Sequence, residues 1–188
     1  MEAFLTSTGL VALAEIGDKT QLLSLLLAAR FRRPWPIIAG ILVATLANHA
    51  AASALGAWLT TVAGPQMLRW GLGLSFIAMA AWMLVPDNAE LGRTDAGRLG
   101  VFGTTLVAFF LAEMGDKTQI ATIALAARFG DFLPVVLGTT AGMMLANVPA
   151  VLVGDRLAQR LPVRLVHAIA AAVFAAIGLA VILGDPLG

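Results

Sequence analysis

Residues 14–21 read Ala-Glu-Ile-Gly-Asp-Lys-Thr-Gln, and residues 112–119 read Ala-Glu-Met-Gly-Asp-Lys-Thr-Gln. Seven of these eight positions are identical. The likeness extends through 14–31 and 112–129, where twelve of eighteen positions match and both segments end in Ala-Ala-Arg-Phe. The chain therefore carries an internal duplication with an offset of 98 in 188 residues. What is duplicated is a Glu, an Asp and a Lys inside apolar sequence, where charge is most costly.

The composition explains that setting. Apolar residues make up 60% of the chain, charged residues 12%, and mean hydropathy is +0.91. Soluble domains carry roughly 25% charged residues, so the chain is expected to be an all-α, polytopic membrane protein. A spanning helix needs about 20 residues, and six spans are expected, at roughly 4–29, 36–60, 68–86, 100–127, 133–154 and 165–184. Arg30-Phe31-Arg32-Arg33-Pro34 ends the first and Gly64-Pro65 separates the second from the third. Residues 1–86 form a first three-helix repeat, 87–98 a polar linker, and 99–188 a second three-helix repeat. Three is odd, so the second copy enters the membrane from the opposite side, which makes the halves inverted repeats. Pro36 and Pro134, Gly40 and Gly138, and Phe76 and Phe174 recur at the same offset.

Loop charge sets the expected orientation. Arg30, Arg32, Arg33, Arg93, Arg98, Arg156, Arg160 and Arg164 fall on one side, and Arg69 and Arg128 on the other. The positive-inside rule then puts both termini on the non-cytoplasmic side. Trp35, Trp58, Trp70 and Trp82 fall mostly near span ends, as interface anchors do. No basic n-region with a cleavage site precedes the first span, so Met1 is expected to begin the mature protein. Cysteine is absent, which excludes disulfides and thiolate metal sites together.

On a continuous helix Glu15, Asp18 and Lys19 stand at i, i+3 and i+4 and share one face, as do Glu113, Asp116 and Lys117. Gly17 and Gly115 sit between the acids; a local break there would free backbone carbonyls. Inverted symmetry brings both motifs to the bundle centre, giving four carboxylates against two ammonium groups. The surplus of two negative charges is balanced by one divalent cation or by two protons. Crowded like charges in a low dielectric make protons competitors of the metal near neutral pH. Hard oxygen ligands suit Mg²⁺, Ca²⁺ and Mn²⁺, and the motifs contain no His for Zn²⁺. The candidate metal ligands are Glu15, Asp18, Glu113 and Asp116, with Gln21, Gln119, Asn48 and Asn147 as additional ones. Lys19 and Lys117 balance charge, and Gly17, Gly115, Thr20 and Thr118 complete the motif.

The pattern Glu-x-Gly-Asp-(Lys/Arg)-(Thr/Ser), twice, in a six-span chain resembles the Gdt family of cation/proton antiporters, within the lysine-exporter superfamily. Glu15-Ile16-Gly17-Asp18-Lys19-Thr20 and Glu113-Met114-Gly115-Asp116-Lys117-Thr118 both match it without departure. The resemblance implies transport of Mn²⁺ or Ca²⁺ with the motif acids as ligands, and no enzymatic activity. The short chain and its Arg-rich loops look bacterial, so Mn²⁺ export across an inner membrane is the expectation. No cofactor is expected, since the metal is cargo. The expected partners are metal ions, protons and the lipid bilayer, with no nucleic acid; a homodimer is compatible with the sequence.

Blander readings stand beside these. A purely structural salt-bridge network should balance its charge, and six charged residues with two acids in excess do not. Gln21 and Gln119 suit interhelical hydrogen bonding as well as ligation, and Thr20 and Thr118 suit backbone bonding. His49 has no His counterpart in the second half, which favours packing over proton relay, and His167 reads as interfacial. Three other functions compete. A divalent-cation channel would use acid rings, but paired inverted halves favour alternating access. An intramembrane aspartyl protease needs two acids sharing a proton, and a Lys follows each Asp here. Amino-acid export needs room that four acids around two lysines do not leave.

Overall fold

The computed structural model describes residues 1–85, 99–153 and 163–184. The expected linker at 87–98, with Arg93 and Arg98, and the loop arginines Arg156 and Arg160 lie outside the described residues. The described residues form eight helices and no strand: α1 (Glu2–Glu15), α2 (Lys19–Phe31), α3 (Pro34–Val62), α4 (Pro65–Met83), α5 (Gly100–Glu113), α6 (Lys117–Phe129), α7 (Phe132–Val153) and α8 (Val163–Leu183). Pro at the start of α3 and of α4 fits a first helical turn, where no amide donor is needed. Among the described residues α3, α7 and α8 are long and apolar enough to cross a membrane.

Two expected continuous spans, 4–29 and 100–127, are each two helices. The cause is local. Gly17 and Gly115 take left-handed φ values of 84° and 73°, which side-chain-bearing residues rarely adopt. Asp18 and Asp116 follow as extended N-cap residues of α2 and α6. Each Asp N–H bonds back to the Glu carbonyl three residues earlier, at 3.1 Å in both copies.

Close helix contacts set the packing. A Cβ on Gly40 of α3 would lie 2.9 Å from the Phe102 carbonyl of α5, and one on Gly138 of α7 would lie 2.6 Å from the Phe4 carbonyl of α1. These two glycines occupy equivalent positions of the duplication, and each admits the first helix of the other half. Further along, Gly142 meets Thr8 and Val11, and Asn48 meets Phe110, so both pairs run parallel. By contrast α4 and α8 run antiparallel: Gly73 faces Gly178 and Ile182, and Gly178 faces Ile77. Phe76 stacks on its repeat equivalent Phe174 with ring centroids 6.2 Å apart.

Polarity is distributed inside out. The surface carries Leu5, Trp35, Met67, Leu111, Leu145 and Leu183, while Glu15, Asp18, Glu113, Asp116, Lys117 and Asn147 are buried. Burying charge while exposing large aliphatic side chains is stable only where the surroundings are themselves apolar. The chain is a membrane protein on these grounds, with its buried acids and Lys117 gathered at the two helix breaks.

Candidate metal centre

The breaks bring the carboxylates together. Glu15 is the last residue of α1 and Glu113 the last of α5. Each carboxylate therefore sits at the negative end of a helix dipole, a placement that costs stability unless a cation compensates. Asp18 and Asp116 begin α2 and α6 as N-caps, a position where Asp normally bonds to its own helix. Neither makes that side-chain capping bond, so both carboxylates turn into the centre instead. The amide just before each N-cap has its own acceptor: Gln21 Oε1 accepts the Gly17 N–H at 2.9 Å, and Gln119 Oε1 accepts the Gly115 N–H at 2.7 Å. Asp-Lys-Thr-Gln is thus a variant of the capping box, with the Gln three residues after the N-cap reaching back one residue further than usual.

The lysines cross over. Lys19 Nζ lies 2.9 Å from Asp116 Oδ1, and Lys117 Nζ lies 3.8 Å from Asp18 Oδ1. Each motif's ammonium faces the other motif's aspartate, which fastens the two halves at their charged centre. Two Lys–Asp pairs leave Glu15 and Glu113 as the acids carrying the surplus of two charges.

Oxygens of Glu15, Asp18 and Asp116 lie within 4.8 Å of one another, and all three residues are buried. Hard divalent cations take oxygens at about 2.0–2.6 Å, so a cation seated among these three needs only small side-chain adjustments. Glu113 stands beside this trio and is held from α3. Thr45 Oγ1 donates to its Oε1 at 2.8 Å, Asn48 Nδ2 donates to its Oε2 at 3.3 Å, and His49 Nε2 is 3.9 Å from the same oxygen. Glu15 is held differently: the Thr20 hydroxyl donates to its Oε2. The expected backbone bond of Thr20 is therefore replaced by a carboxylate bond. Thr118 is buried beside Glu15.

The remaining candidate ligands are committed to structure. Gln21 Nε2 donates to the Ala146 carbonyl of α7 at 3.1 Å. Asn147 accepts from Ser24 Oγ at 2.7 Å and donates to the Met143 carbonyl at 3.1 Å. The freed carbonyl of Ile16 is also engaged, because His167 Nε2 donates to it at 2.8 Å. His167, expected at the interface, thus touches the first motif from α8.

Sequence reasoning passed over Thr45 and Ser24 and gave His167 an interfacial place only. Thr45 stands three residues before Asn48 and shares its helix face, a signal available from spacing alone. Nothing in the local sequence links Ser24 to Asn147 or His167 to Ile16.

Comparison with known proteins identifies the family. The family model described as "Divalent cation/proton antiporter GDT1" matches residues 3–91 and 101–187. A Vibrio cholerae protein named "Putative manganese exporter" is 50% identical over 181 residues, covering 96% of this chain and 90% of that protein. A Synechocystis protein, GDT1-like protein sll0615, is 27% identical over 184 residues, covering 85% and 88%. The rice protein "GDT1-like protein 2, chloroplastic" is 27% identical over 214 residues; the match covers 96% of this chain and 61% of that longer protein. No solved structure matches the chain. The family comprises transporters, so the protease reading falls away: the chain is not an enzyme, and it belongs to the GDT1 family of divalent cation/proton antiporters.

Proposed function

We propose that this protein exports Mn²⁺ from a bacterial cytoplasm in exchange for protons, with Ca²⁺ as the next-best substrate. The observation that carries the reading is the buried trio of Glu15, Asp18 and Asp116, whose oxygens come within 4.8 Å of one another beside two crossed Lys–Asp pairs. Glu113 is the fourth acid, held at the edge of the centre by Thr45 and Asn48. The name of the Vibrio cholerae relative supports manganese, and the all-oxygen donor set suits it.

The transport unit is six spans in two inverted three-helix repeats, residues 1–86 and 99–188, with α1–α2 and α5–α6 each forming one interrupted span. The antiparallel α4–α8 pair and the equivalent roles of Gly40 and Gly138 support this reading. Half-helix ends directed at a buried ion site are a recurring feature of such transporters. Both termini lie outside the cytoplasm, as the loop arginines require.

Mn²⁺ entering from the cytoplasm takes oxygens of Glu15, Asp18 and Asp116. It lends the two α1 and α5 C-terminal glutamates the positive charge that their helix dipoles lack. Protons from the other side then neutralise Glu15 and Glu113, and the metal leaves. Two surplus carboxylates set the stoichiometry at one Mn²⁺ for two H⁺, an electroneutral exchange.

Purified protein in proteoliposomes tests this, with Mn²⁺ flux and internal pH followed together under a clamped membrane potential. Two protons per Mn²⁺ without net current is the expected outcome. A current that reverses with voltage, or Mn²⁺ movement without proton movement, would overturn the proposal.

A further inference from the structure

The two breaks are covered unequally. At the first, the start of α8 sits directly on Gly17: a Cβ there would come within 2.3 Å of Val163 Cγ1. His167, one turn on, donates from Nε2 to the Ile16 carbonyl at 2.8 Å. At the second break nothing among the described residues lies within 4 Å of the corresponding position on Gly115, and Met114 is 56% exposed.

The duplication identifies the missing counterpart. At the offset of 98, Val163 corresponds to Pro65 and His167 to Arg69, and Pro65 begins α4 just as Val163 begins α8. Arg69 Nε is buried without a hydrogen-bond partner among the described residues. An apolar cleft of about 230 Å³, lined by Leu59, Met67, Leu72, Ile120 and Ala124 among others, lies between this half of α4, the end of α3 and α6. The helix therefore has room to move, and its arginine has a donor to spend. Between these two ends, α4 and α8 are locked together by Gly73 against Gly178 and by the Phe76–Phe174 stack. That stack joins equivalent residues of the two halves, so it lies at the pivot of the pair.

We propose that α4 and α8 form one rocker whose two helix N-termini seal the two breaks in alternation. Val163 and His167 close the first break in the state described, and Pro65 and Arg69 close the second in the opposite state, with Arg69 taking the Met114 carbonyl as His167 takes that of Ile16. His167 and Arg69 are positioning residues, since they act on the backbone beside the acids and do not ligate the ion. The proposal rests on the exchanger reading for its purpose, although its geometry can be tested without metal.

The chain has no cysteine, so single cysteines report each break cleanly. Ile16→Cys and Met114→Cys proteins, purified in detergent, are treated with a water-soluble maleimide and their modification rates compared. Met114→Cys is expected to react faster. Adding His167→Ala removes one hydrogen bond from one side of a two-state balance, which shifts populations about fivefold. Ile16→Cys should then react faster and Met114→Cys slower, with the ratio of the two rates changing about fivefold, and His167→Gln should restore both. Arg69→Ala should slow Ile16→Cys. If His167→Ala does not fold, Val163→Ala loosens the same seal and predicts the same reciprocal change. A rise at Ile16 with no fall at Met114 would mean local loosening only and would overturn the rocker. Mn²⁺/H⁺ exchange that persists without reciprocity ends the rocker and spares the exchanger. Reciprocity in a protein that moves no Mn²⁺ does the opposite.

Discussion

The first and second helix breaks share seven of eight residues and one backbone path, but they have different neighbours. The first is covered by Val163 and His167, whereas no described residue packs on Gly115 in the second, where Met114 is exposed. Lys117 is buried and 3.8 Å from its aspartate, whereas the Lys19 side chain is 30% exposed and 2.9 Å from its own. Glu15 is bonded within its own motif by Thr20, and Glu113 is bonded from α3 by Thr45 and Asn48. The octapeptide thus specifies a break and a charge set, and packing around it specifies which copy is covered. Two such copies in unlike surroundings are what alternating access requires, because exchanging the surroundings exchanges the open side.

The two glutamates should differ most. Glu15 belongs to the trio and Glu113 is held apart, so Glu15→Gln should weaken equilibrium Mn²⁺ binding about a hundredfold, the equivalent of about 3 kcal/mol for a lost charged ligand. Glu113→Gln should abolish proton-coupled flux while weakening binding by no more than about tenfold. Calorimetric titration beside proteoliposome flux separates the two, and equal losses of affinity would place both acids in one shell.

The crossed ion pairs come next. Lys117→Met leaves Asp18 facing a buried apolar group and should lower stability by about 3 kcal/mol. Lys19→Met removes an ammonium whose side chain is 30% exposed, so water can partly replace it beside the buried Asp116, and it should cost less than Lys117→Met. Thermal unfolding in detergent measures both, and the reverse order would show that exposure does not rank the pairs.

The glycines follow. Gly17→Ala and Gly115→Ala both force a side chain into left-handed backbone, at about 1–2 kcal/mol each. Only Gly17→Ala also collides with Val163, so its melting temperature should fall further, and Val163→Ala should restore part of that excess. The smallest effect is expected at the hydroxyls. Thr45→Val deletes a bond to Glu113 and should cost about 1 kcal/mol, read as a severalfold change in Mn²⁺ transport. Ser24→Ala, which frees only Asn147 from one bond, should leave transport nearly unchanged.

Much of this was legible in the chain. Composition places it in a membrane because 60% apolar residues cannot all be hidden inside 188. The doubled motif points to the acids, and a glycine between two carboxylates marks where a helix can break. The i, i+3 and i+4 face expected for Glu15, Asp18 and Lys19 does not form, because the break resets the helical phase before Asp18. The Asp-Lys-Thr-Gln capping pattern carried that information and outweighs the apolar run around it.

Sequence alone determined the class of protein, the duplication, the charged groups and the hinge-like glycines, since these follow from hydropathy and from backbone preferences that act over a few residues. Only tertiary structure decided that Lys19 meets Asp116 and Lys117 meets Asp18, that α3 holds Glu113, and that His167 reaches Ile16. Such pairings depend on how helices nearly a hundred residues apart slide together on small side chains. Two near-identical octapeptides also carry no sign of which one is covered, because that asymmetry lies in the packing of Val163 and His167 on the first break and not in either copy.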